Sequence, residues 1–159
     1  MASALLLTVA VLASGCGAAT TTSTTSPTTS VVPTGTLGPQ GYGSLKLGMS
    51  YADALSTGQL EGRPQAGWAV KDHPDAEVCL TKAGGLMAIF GDATMATPER
   101  IHLGSTLAEV KAAYPNLKRA VDFEYVPLSA TTGYEFLIDF KKKKVYQWNL
   151  STRSETCFN

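Results

Sequence analysis

The sequence predicts an α+β fold: two repeated strand–helix–hairpin units that form one antiparallel sheet with helices on one face. Three observations predict it. Leu45-Lys46-Leu47-Gly48-Met49-Ser50-Tyr51-Ala52-Asp53-Ala54 matches Ile101-His102-Leu103-Gly104-Ser105-Thr106-Leu107-Ala108-Glu109-Val110 position by position, so the chain carries an internal repeat. Strand-like apolar runs follow each copy. All 13 basic and all 13 acidic residues lie from Lys46 onward, which separates the first 45 residues from a domain of ordinary globular composition. The expected domain spans 38–159, with repeats at about 41–91 and 97–159.

In the first unit Leu45 and Leu47 flank Lys46, as in a short strand buried on one face, and Gly48 allows a turn. Ser50 is a good helix N-cap, with Asp53 placed to face the helix N-terminus. The helix should stop near Gly58. Trp68-Ala69-Val70, Glu77-Val78-Cys79-Leu80-Thr81 and Leu86-Met87-Ala88-Ile89-Phe90 then read as strands, with Gly84-Gly85 supplying a hairpin turn. In the second unit Ile101-His102-Leu103 repeats the short strand and Gly104 the turn. Thr106 with Glu109 makes a capping box, and the helix should end before Pro115. Strands follow from Ala120 to Val126, Tyr134 to Phe140 and Val145 to Leu150. Alternation in the last leaves one face apolar.

The N-terminal residues carry an address. The apolar run of residues 2–14 is shorter than the roughly 20 residues a membrane span needs, and reads as the core of a signal peptide covering 1–15. It ends Leu12-Ala13-Ser14-Gly15-Cys16, which resembles the lipobox of bacterial lipoproteins, although Ala13 stands where that family usually has Leu. The resemblance implies a diacylglyceryl group on the Cys16 thiol, cleavage before Cys16, and a chain held on the extracytoplasmic face of the cell membrane with the lipid bilayer as its partner. A plain secretory leader, with Cys16 incidental, is the alternative. Residues 17–37 contain nine threonines, three serines and two prolines and little to bury. With Cys16 they read as a disordered tether, either unmodified or O-glycosylated.

The glycine–cap–helix opening Leu47-Gly48-Met49-Ser50, with its weaker copy Leu103-Gly104-Ser105-Thr106, resembles that of the β-lactamase inhibitor protein fold and of the related small outer-membrane assembly lipoproteins. The likeness covers roughly residues 41–150. The chain is also similar to lipoproteins of high-GC Gram-positive bacteria that share a threonine-rich tether. The resemblance implies a fold used mainly for protein contacts and assigns no individual residue a role.

Candidate chemistry is sparse. A net charge of zero provides no global field for nucleic acid, so none is expected as a partner. His102, between Ile101 and Leu103, should point away from the core. His73 sits in Asp72-His73-Pro74-Asp75-Ala76-Glu77, a polar loop that lacks an EF-hand pattern, so no metal site and no cofactor are expected. No Gly-x-Ser-x-Gly elbow or Ser-x-x-Lys motif occurs, so no catalytic residue is assigned. Lys141, Lys142, Lys143 and Lys144 are either a solvated hairpin tip or a contact with anionic headgroups or wall polymers. With Cys16 assigned to lipid, Cys79 and Cys157 remain as an even pair in an oxidising compartment, and a disulfide between them is expected; two free thiols are the alternative. The function expected is that of a membrane-anchored envelope lipoprotein acting as a non-catalytic protein-binding module, its partner an envelope protein. The alternatives are a carrier or sensor for a small molecule or lipid, and a hydrolase with its site dispersed over loops.

Overall fold

The computed structural model describes residues 33–63, 67–154 and 157; the expected signal peptide, Cys16 and most of the tether lie outside them. In chain order the elements are β1 (Gly35–Thr36), β2 (Gly41–Tyr42), β3 (Leu45–Lys46), α1 (Tyr51–Ser56), β4 (Leu60–Arg63), β5 (Gly67–Val70), β6 (His73–Thr81), β7 (Gly85–Phe90), β8 (Met95–Ala96), α2 (Leu107–Ala113), β9 (Lys118–Arg119), β10 (Glu124–Pro127), β11 (Thr132–Asp139) and β12 (Lys144–Thr152). Eight strands form one antiparallel sheet in the order β4-β5-β6-β7-β12-β11-β10-β9. Two-stranded pairings join β1 to β8 and β2 to β3.

This architecture corrects the expected fold class. The chain is mostly β, and its helices do not form a layer on the sheet. Both are cut short by local chemistry. The α1 helix has six residues and gives way to Gly58 at φ +67°. The α2 helix has seven residues; Tyr114, held extended by Pro115, ends it. Each helix buries a single residue, Ala54 in one and Val110 in the other. The core is supplied instead by the sheet, where Val70, Val78, Leu80, Leu86, Ile89, Val126, Tyr134, Phe136, Ile138, Trp148 and Leu150 are buried together with those two. The expected hairpins also grow into four-stranded meanders, β4 to β7 and β9 to β12, whose last strands pair through Phe90–Asn149, Ile89–Leu150 and Ala88–Ser151.

The two glycine turns have the same geometry. Gly48 and Gly104 take φ of +83° and +89°, a region open to glycine and strained for other residues. Gly48 N–H donates to Leu86 O and Leu86 N–H to Met49 O, both at 2.8 Å. Gly104 N–H donates to Val145 O and Val145 N–H to Ser105 O, also both at 2.8 Å. Each turn is thereby fastened to the last strand of its own meander. The flanking segments differ: Leu45–Lys46 is a strand, whereas Ile101 to Leu103, expected to be one, is not. Thr106 accepts from Glu109 N–H and the Glu109 carboxylate accepts from Thr106 N–H, which closes the capping box, whereas Ser50 caps through Asp53 N–H with a shorter acidic arm. Thr106→Ala should cost about 1 kcal/mol in urea denaturation. A loss indistinguishable from zero would show that the sheet contacts alone hold α2.

Two further expectations are revised. Gly35 to Leu37, which composition assigns to the tether, belong to the fold: β1 runs parallel to β8 and Leu37 is fully buried. The alternation expected over Val145 to Leu150 is broken by a register shift opposite Leu137 and Ile138, where Leu137 pairs with Gln147 and Ile138 with Val145. The extra residue leaves both Tyr146 and Gln147 exposed and buries Val145 and Trp148.

Candidate functional site

The sequence expectation for His73 was a polar loop beside carboxylates. The structure makes it the first residue of β6 and buries it, because β1 packs over it: a Cβ on Gly35 would lie 3.1 Å from His73 Cε1. The polar atoms that remain are satisfied in one chain of hydrogen bonds. Tyr42 O–H donates to His73 Nε2 at 2.7 Å, and His73 Nδ1–H donates to Thr94 Oγ1 at 2.8 Å. The Thr94 hydroxyl and amide both donate to Asp92 Oδ1, at 2.7 and 2.8 Å. Asp92 Oδ2 lies 3.4 Å from His73 Nδ1. Burial, followed by the charges of Asp92 and Asp72, raises the Tyr42 phenol above its ordinary value, so it stays protonated as this arrangement requires. The cluster ties β2, β6 and the β7–β8 loop to the entering strand. Its hydrogen bonds run between three separate segments of the fold, through Tyr42, His73 and Thr94. His73→Leu leaves Tyr42 and Thr94 without their shared hydrogen-bond partner and should cost roughly 1–3 kcal/mol. An unchanged urea midpoint would show the chain to be dispensable.

The other expected positions separate. His102 is half-buried, and its Nδ1–H donates to Leu103 O at 2.7 Å, outside the hydrogen-bonded chain of His73. Cys79 and Cys157 come within disulfide-bonding distance, with Cα atoms 6.0 Å apart across a separation of 78 residues. Lys141 to Lys144 lie at the turn from β11 to β12, all exposed. Asp139 builds that turn. Its Oδ1 accepts from the amides of Lys142 and Lys141, which hold its carboxyl below the usual range, and Lys143 takes φ +55°. The Glu109 carboxyl is also held low, chiefly by the Thr106 amide. Both shifts belong to backbone caps.

One surface was not foreseen. Along the outer side of the second meander, Lys118 pairs with Tyr125, Tyr125 with Glu135, and Glu135 with Asn149. Glu135 is occupied by Asn149 Nδ2 at 3.1 Å and the Ser151 hydroxyl at 3.0 Å. The Arg153 guanidinium sits 5.7 Å from the centre of the Tyr125 ring. Lys118, Phe123, Tyr125, Glu135 and Arg153 line an open groove of about 340 Å³. Lys118 and Arg153 make no ion pair with a described residue. At the sheet end beside it Phe140 lies between Arg119, 5.2 Å from its ring centre, and Lys143, at 5.7 Å. No local motif marks this surface, because its residues come from five separated stretches that only the strand register brings side by side.

Comparison with protein-family models, curated proteins and solved structures finds no match to this chain.

Proposed function

We propose that this chain is an envelope lipoprotein, anchored through Cys16, whose domain is a non-catalytic protein-binding module. The observation that supports the binding reading most is the open groove of Tyr125, Phe123, Lys118 and Arg153 on the outer side of the sheet. An aromatic side chain with a guanidinium on its face combines the two residue types, Tyr and Arg, that recur at the energetic centres of protein contacts. The groove is open, as a contact with another protein surface requires. The resolved carboxylate shifts run downward and come from caps, so neither carboxyl is tuned as a general acid. The resemblance of the glycine–cap–helix opening to the β-lactamase inhibitor protein fold points the same way.

Crosslinked capture from the native envelope tests the reading. The expected result is a discrete partner retained by the wild type and by Lys82→Glu, and lost by Lys118→Glu/Arg153→Glu, in which both substitutions are on exposed side chains. Equal capture by all three proteins would sink it. Anchoring has its own test: the wild type should partition into detergent and Cys16→Ala should not.

A further inference from the structure

We propose that the two loop tips at one end of the sheet, 120–123 and 140–143, form a face that rests on the anionic bilayer to which the chain is tethered. The inference uses the anchoring part of the proposed function and is independent of the protein partner.

Topology brings the tips together. In the order β12-β11-β10-β9 with antiparallel neighbours, the β9–β10 and β11–β12 connections must emerge at the same end. Val121, 91% exposed, is in one loop and Phe140, 52% exposed, in the other; both line one shallow hollow with Arg119 and Phe123. Large apolar side chains left in water beside each other mark a contact surface. Around them stand Arg119, Lys141, Lys142, Lys143 and Lys144, none in an ion pair with a described residue. The acidic groups at these tips are Asp122, Asp139, which is engaged by the turn amides, and Glu124, which is buried; Glu109, engaged by the Thr106 cap, faces Lys144 from the start of α2. The surface is therefore cationic with an apolar centre. That combination suits a headgroup layer, where lysines meet anionic phosphates and apolar side chains enter the acyl boundary. A soluble polyanion would engage the lysines and leave Val121 and Phe140 in water.

The register also places the entering chain at this end. Ile89 pairs with Val78 on one side and with Leu150 on the other, so β6 and β12 run in the same direction. Five residues back along each strand lie His73, which β1 packs against, and Val145, at the lysine turn. The strand that follows the tether and the cationic tip therefore share one end of the sheet. A membrane-anchored N-terminus brings the tip to the surface that holds it.

The test is residue-resolved acetylation of lysines by mass spectrometry on the full chain, mixed with vesicles of neutral phosphatidylcholine or with about 30 mol% phosphatidylglycerol. On the anionic vesicles Lys141 to Lys144 should react about five-fold more slowly than on neutral ones, and about 0.5 M salt should reverse the effect. Lys82, in the β6–β7 turn at the opposite end, should not change. Val121→Asp/Phe140→Asp should remove most of the protection. Co-sedimentation with neutral vesicles reads anchoring separately, so its failure is distinguishable from failure of the tip contact. Equal reactivity on the two vesicle types would overturn the proposal. So would full protection in Val121→Asp/Phe140→Asp together with equal protection by soluble polyphosphate, since a linear polyanion would then be the ligand.

Discussion

Trp148→Ala should lower the free energy of unfolding by about 3–5 kcal/mol, the range for removing a fully buried large aromatic side chain. Trp148 is fully buried on β12, the strand that joins the two meanders. Its ring stacks on Phe136 with centroids 6.2 Å apart and meets Tyr134 edge-on at 6.2 Å. Tyr114 extends the cluster, stacked on Phe136 at 5.9 Å. Burial raises the Tyr114 and Tyr134 phenols well above their ordinary value, which agrees with the dry interior around the indole. The other side of the indole is occupied by Gly91: a Cβ there would fall within the ring, while Gly91 N–H donates to Trp148 O at 3.1 Å. Gly91→Ala should therefore destabilise from the opposite direction, by forcing the ring out of place. The indole Nε1 meets no acceptor among the described residues, so Trp148→Phe gives up volume without breaking a hydrogen bond and should cost clearly less than Trp148→Ala. Urea denaturation measures all three. A loss below about 1 kcal/mol for Trp148→Ala would show that the sheet repacks around the cavity and that the cluster is not the centre of the core.

Removing the Cys79–Cys157 crosslink should cost about 4 kcal/mol in the chain-entropy account, because a bond closing 78 residues restricts most of the unfolded domain. Cys79 is buried on β6 among Met87, Ala88 and Phe90, in a cluster separate from the main core. Cys157 follows β12, at the end of the chain. A bond between them ties the C-terminal segment to the first meander, which the strand order otherwise connects to it only through β7. Cys157→Ala is the cleaner variant, since Cys157 is itself exposed whereas Cys79 is buried. Its midpoint in urea should match that of the reduced wild type and should not move with reductant, while the oxidised wild type stands well above both. Two alkylatable thiols in the protein isolated without reductant would end the argument, whatever the stabilities.

The parts of this protein that were legible in the sequence are those whose physics closes within a few residues. The glycine turns at Gly48 and Gly104, the caps at Ser50 and Thr106 and the exposed lysine turn each depend on neighbours in the chain. The fold class was not legible, because a capping box states where a helix starts and says little about its weight against a sheet. Gly58 and Pro115 both stood in view, yet their effect was to leave helices with one buried residue each. Val145 to Leu150 read as regular alternation, and only the pairing with β11 reveals the extra residue that turns Tyr146 outward.

The sequence by itself determined the local turns and caps and the change of composition at the start of the domain. Tertiary structure alone decided that strands outweigh helices, that Gly35 to Leu37 belong to the fold, and that His73 is sealed into a hydrogen-bonded chain with Tyr42, Thr94 and Asp92. It also decided which cations and aromatics share a surface. The reason is one of range. Caps and turns are satisfied by atoms within about one helical turn, whereas burial and register depend on partners tens of residues away, and no local pattern encodes which partner arrives.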